Sequence, residues 1–179
     1  MNKKIRNIAL ACLTGISGLF ISACTDSTVD TTLKTAGTLT VNTTTATYNG
    51  DYGPAHVVAI WIENSSGSFV KSLLVNAAER KEYLTNWFKA TSTGNTVDAQ
   101  TGATINTHGA KNCTWNGKDA SGNVVNDGTY KVCMEFTENN GTGKFASFTF
   151  TKSTVADDQA PGAKNGFSNI SLKWAPAVK

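Results

Sequence analysis

The sequence predicts an all-β, antiparallel sandwich with one short inserted helix. Three observations carry that prediction. Tyr130, Val132, Met134 and Phe136 alternate with Lys131, Cys133, Glu135 and Thr137, the two-residue period of a strand with one face on a core. About seven short segments of this kind are separated by clusters of Gly, Asn, Asp and Ser, which mark turns. Residues 55–62, AHVVAIWI, form an uninterrupted apolar run, the pattern of a strand covered on both faces.

The chain begins with a targeting pattern. Lys3, Lys4 and Arg6 precede a short apolar stretch, residues 8–21, and Ser22-Ala23 precede Cys24. The apolar stretch is too short and too interrupted by glycine for a membrane span. Ile21-Ser22-Ala23-Cys24 resembles the lipobox of bacterial lipoproteins, which implies a signal peptide over residues 1–23 and a lipidated N-terminus at Cys24. Several acyl chains together anchor a protein stably where one does not. Thr25, in place of an aspartate after the cysteine, resembles sorting to the outer membrane. Three of the sixteen basic residues lie in the signal, so thirteen remain against thirteen acidic ones. A mature chain near neutrality gives no basis for binding nucleic acid. Removing 23 of the 179 residues leaves 156, enough for one domain with a sizeable core.

Residues 24–36 are threonine-rich and read as a flexible tether, and residues 37–179 as the domain. Residues 37–48 form an edge strand, 49–54 a turn, and 69–75 the hairpin partner of the apolar strand at 55–62. Asn76 is placed to cap a helix running to Lys89, in which Leu84, Trp87 and Phe88 fall on one face. Strands follow at 112–116, 130–137 and 145–152, then an irregular loop at 153–166, and a last strand containing Ile170, Leu172 and Trp174. With Cys12 in the signal and Cys24 at the anchor, Cys113 and Cys133 remain, and an oxidising compartment makes a disulfide between them the default. Their strands, joined through residues 116–128, read as a hairpin that brings them within cross-strand reach.

Two stretches carry more than packing. Trp115-Asn116-Gly117-Lys118-Asp119 continues to Gly122, Val125, Gly128 and Tyr130. This run resembles a hairpin of bacterial immunoglobulin-like modules, including that of flagellar hook-capping proteins, and implies an immunoglobulin-like sandwich. Its glycines suit turns of positive φ, and its acidic residues lack the spacing of a calcium loop. Residues 97–108, VDAQTGATINTH, are polar and small. Within them Asp98, Thr101, Gly102, Ala103 and Thr104 resemble the Asp-x-x-[Ser/Thr]-Gly-Ala-Thr motif of flavin-carrying subunits of sodium-pumping quinone reductases. The resemblance implies FMN attached covalently to Thr104 by a flavin transferase. Gly102 gives backbone freedom and Ala103 leaves the hydroxyl uncrowded. The same small residues also suit a plain tight turn.

Residues 54–172 also resemble a predicted periplasmic family, domain of unknown function 2271, through HVVAIWIE, FVKSLLV, YLTNWF, VDAQTGAT, TWNGKDASGNVVNDGTYKV and NISLKW. That resemblance implies membrane redox proteins and flavin transferases as partners. No constellation of an enzyme is present. His56 reads as a core imidazole with one satisfied hydrogen bond, His108 as an exposed loop residue, and the pair as a poor zinc site. Two functions follow: a lipid-anchored FMN carrier in extracytoplasmic electron transfer, or a non-catalytic interaction module in which TGAT is a turn.

Overall fold

A computed structural model describes residues 33–92, 100–102 and 104–178. The expected signal peptide, Cys24 and most of the expected tether lie outside the described residues, as do Asp98 and Ala103. Strands β1 (Gly37–Thr45), β2 (Val57–Asn64) and β3 (Phe69–Asn76) are followed by a 3₁₀ turn (Lys81–Tyr83) and helix α1 (Thr85–Ala90). Then come β4 (Gln100–Gly102), β5 (Ala110–Trp115), β6 (Gly128–Thr137), β7 (Lys144–Lys152), β8 (Asp157–Gln159) and β9 (Phe167–Pro176). They form two sheets, β5-β1-β9-β8 and β4-β3-β2-β6-β7. All pairings are antiparallel except β3 with β4. The order β7-β6-β2-β3 is that of strands G-F-C-C′ of an immunoglobulin sandwich, and β5-β1 that of E-B. Strand β9, last in the chain, fills the place beside β1 that the first strand takes in an immunoglobulin domain.

The expectation for residues 55–62 holds, and the structure gives its reason. Val58, Ile60 and Ile62 face the core between the sheets, with Trp115, Phe136, Phe150, Phe167 and Trp174. Val57, Ala59 and Trp61 face the other way, into a second core under α1 with Leu84, Trp87 and Cys133. Burying a large aromatic contributes about 2–3 kcal/mol, so a sheet clad in tryptophan on both faces is well supported.

The helix is shorter than the sequence predicts. Asn76 ends β3 instead of capping, and Arg80 adopts a left-handed conformation at φ 64°, which no α-helix continues through. Helix α1 starts only at Thr85, with no cap from its own side chains. Its cap comes from β6. The buried Glu135 carboxylate accepts the backbone N–H groups of Asn86 at 3.0 Å and Trp87 at 2.9 Å, and Trp87 Nε1 donates to Ser72 Oγ at 2.9 Å. Phe88, expected to pack inward, is 37% exposed.

The predicted disulfide is also corrected. Cys113 and Cys133 are both free thiols. β5 pairs with β1 and β6 with β2, so residues 116–127 cross between sheets and make no β5–β6 hairpin. Cys113 faces the core between the sheets, and Cys133 faces the core under α1. Burial pushes the Cys113 thiol up to about 12 and the Cys133 thiol higher than its ordinary value, with Glu63 adding to the effect. Neither is a reactive thiolate at neutral pH. The crossing itself follows its turn chemistry: Gly117 at φ 72° and Gly122 at φ 87° take the positive-φ positions, Asp119 Oδ1 accepts the Asn123 N–H at 2.8 Å, and Trp115 Nε1 donates to Lys118 O at 2.7 Å.

The last four residues of the expected tether are docked. Asp127 N–H donates to Leu33 O at 2.7 Å, while its carboxylate accepts Thr35 N–H at 2.9 Å and Thr35 Oγ1–H at 2.5 Å. That carboxylate also meets the buried Lys152 Nζ at 2.6 Å. The loop expected at residues 153–166 contains the short strand β8, paired with β9.

Candidate functional site

From the docked residues 33–36, β1 runs about 30 Å to the opposite rim of the sandwich, where Thr45 N–H donates to Gly109 O at 3.1 Å. That rim gathers the ends of three segments. The backbone of Gln100–Gly102 adds a short parallel strand to β3, with Gly102 opposite Asn76. Three residues on, Ile105 bridges His56 through paired bonds: His56 N–H to Ile105 O at 2.8 Å and Ile105 N–H to His56 O at 3.0 Å. Thr104 sits between these two attachments, half-buried, and no hydrogen bond among the described residues occupies its hydroxyl.

His56 is fully buried with one ring hydrogen bond, Nδ1 to Pro54 O at 3.2 Å, as its place in an apolar strand predicts. His108 is not the exposed loop residue the sequence suggests. Its Nε2 lies 2.5 Å from Glu138 Oε1, and its ring stacks on His56 with centroids 3.9 Å apart and planes 10° from parallel. Imidazole lone pairs lie in the ring plane, so face-to-face rings do not converge on one ion between them. The pair is packed for contact, not ligation.

Glu138 organises the rim. Its carboxylate accepts the backbone N–H groups of Tyr48 at 3.2 Å and Gly50 at 2.8 Å, besides His108. Burial works against its charge, but the bonds from Gly50, Thr47, His108 and Tyr48 outweigh it and hold the pKa below the ordinary value. Glycine is required at position 50 for closeness: a Cβ there would meet Glu138 Cβ at 2.6 Å. Tyr52 donates from its hydroxyl to Asn139 O at 2.6 Å, and the Arg80 guanidinium lies 3.7 Å over the Tyr52 ring. The Arg80 cation thus lies on an aromatic face of the loop that Glu138 anchors.

Of the sequence-predicted site, the structure brings Thr104 to this rim and holds Thr101 and Gly102 in β4 beside it. Sequence reasoning missed Glu138, Tyr52 and Arg80. Glu138 follows a clean strand and reads as the first residue of a turn, and no local signal ties it to residues 30 to 90 positions away.

A family described as DUF2271, predicted periplasmic protein, matches residues 38–167, a span that includes the rim, Thr104 and every strand through the start of β9. No curated protein and no solved structure matches the chain.

Proposed function

The chain belongs to the DUF2271 family of predicted periplasmic proteins, and from that premise we propose that it is a lipid-anchored carrier of FMN, bound covalently to Thr104. The observation that carries the proposal is the VDAQTGAT stretch. It ends in a threonine on a sheet rim, flanked on both sides by backbone pairing, and its hydroxyl makes no hydrogen bond among the described residues. Arg80, over the ring of Tyr52 in the loop that Glu138 anchors, is a cation of the kind that suits a phosphoester. FMN, once attached, supplies one- and two-electron redox chemistry. The chain's own part is to present the hydroxyl and hold the rim. A threonine hydroxyl does not attack unaided, and Thr104 has no base hydrogen-bonded to it among the described residues. A separate flavin transferase must supply the base and a metal ion. The donor would be FAD: the Thr104 oxygen would bond to the phosphorus of its FMN half as the pyrophosphate bond breaks, with AMP leaving and the hydroxyl proton passing to the transferase's base. Membrane redox proteins would exchange electrons with the carrier.

Thr104→Ala is expected to abolish flavin absorbance that survives denaturation, in protein purified from its own host, with melting unchanged because a half-buried rim hydroxyl contributes little. Flavin retained in Thr104→Ala would overturn the proposal. The anchor has its own test: Cys24→Ser is expected to move the protein from the membrane fraction to the soluble one, and a variant that stays on membranes would refute lipidation there. A second reading, a non-catalytic interaction module, is favoured by one feature. Thr101 and Gly102 complete a sheet edge, which gives part of the motif a structural role without any flavin. Colourless protein from a host that holds a flavin transferase would favour it.

A further inference from the structure

The segment that carries Thr104 is tied at two points to one buried cluster. Ile105 is held by the backbone of His56, and His108 is held through its ring by Glu138. Phe136 closes the cluster edge-on, 6.0 Å from His56 and 5.4 Å from His108 between centroids. The hydrogen positions follow from the partners. A carbonyl only accepts, so His56 Nδ1 donates to Pro54 O and Nε2 is a bare lone pair. A carboxylate also only accepts, so His108 Nε2 donates to Glu138. The remaining ring nitrogens, His56 Nε2 and His108 Nδ1, are buried with no hydrogen-bond partner among the described residues.

We infer that His56, His108 and Glu138 form an acid-sensitive latch on residues 104–109, closed at neutral pH and released on acidification. The latch stands on this geometry alone; its consequence, that release gives a transferase access to Thr104, rests on the FMN reading. The groups around His56 decide the direction. His108 faces it from the latched segment, Lys111 from β5, and Glu138 from the end of β6. Tyr48, from the opposite loop, accepts the Glu138 N–H at 2.8 Å. Glu138 is the one anion among these groups, and its carboxylate is already engaged by two backbone N–H groups and His108.

Protonating His56 at Nε2 therefore creates a buried cation whose new N–H has no acceptor among the described residues, beside His108 and Lys111. Burial first, and His108 second, push the His56 pKa down from 6.5 to about 4. A depressed histidine pKa means that the closed state's advantage is complete above pH 6.5 and is lost as pH falls toward 4. Glu138, also depressed, loses its bonds in the same direction.

Hydrogen exchange tests the latch in the intact chain. After correction for intrinsic rates, the Ile105 amide is expected to lose at least about tenfold of its protection between pH 7 and pH 4.5. The Ile60 amide, in the central ladder of β2, should keep its protection over that range. Protection of Ile105 that does not change, or that falls only together with Ile60, would overturn the latch. In His56→Phe, which keeps a ring against His108 and cannot titrate, the loss at Ile105 is expected to disappear. Should that variant not fold, the two wild-type amides still decide the matter. The readout needs no flavin, so a failed latch and a failed FMN assignment are told apart.

Discussion

Asp127→Ala is expected to destabilise the fold by roughly 3–5 kcal/mol at neutral pH. Lys152 and Asp127 are both buried, with Nζ and Oδ1 2.6 Å apart. Removing the carboxylate strands an ammonium beside the ring of Trp174, 5.5 Å from its centroid, and no other acidic group meets its Nζ among the described residues. Thr35 loses the acceptor for its N–H and its hydroxyl in the same step, so the docked residues 33–36 are released as well. Burial opposes the Asp127 charge, but the bonds from Lys152 and Thr35 outweigh it and hold the pKa below its ordinary value. Stability from a depressed carboxylate is present above its unfolded pKa, about 4, and lost as pH falls below that. The gap between wild type and variant should therefore narrow in acid. Urea melts at pH 7 and pH 3.5 check both statements. An unchanged midpoint at pH 7 would contradict the first, and Asp127→Ala/Lys152→Met should recover much of the loss by removing the stranded charge.

Glu138→Ala is expected to cost about 3 kcal/mol or more, because it removes the acceptor of several donors at once, two backbone N–H groups and a histidine ring among them. The backbone N–H groups of Tyr48 and Gly50 and the ring of His108 all point at this one buried carboxylate. The damage should be local: the 46–55 and 104–109 segments would become sites of early proteolytic cleavage while the two sheets persist. Glu138→Gln, which keeps an acceptor oxygen, should lose less. Limited proteolysis with mass analysis of the first cuts is the measurement. Cuts distributed as in wild type would show that Glu138 does not hold the rim.

These effects sit where the sequence was least informative. The faces of β2 and β6 were legible because a strand's side chains alternate, and Tyr130, Val132, Met134 and Phe136 do face the core between the sheets. The same alternation contained a warning about the cysteines. It puts Cys133 on the Glu135 face, away from that core, while Cys113 in β5 points into it. Neighbouring strands in sequence usually pair, but β5 pairs with β1 and β6 with β2. The helix expectation failed for a related reason. Residues 77–82 are helix formers, but the chain must turn from the end of β3 onto the outer face, and it does so through a left-handed Arg80 that local propensity opposes. The stacking of His56 on His108, and the anchoring of two distant segments by Glu138, are products of tertiary folding. No spacing in the chain encodes them.

The intact mass of the protein extracted from the membranes of its own host tests the central claim most directly. The account predicts a chain beginning at an acylated Cys24 that carries one FMN less one water, with the flavin mass lost in Thr104→Ala. A lipidated chain of unmodified mass, from cells that hold an active flavin transferase, would contradict it.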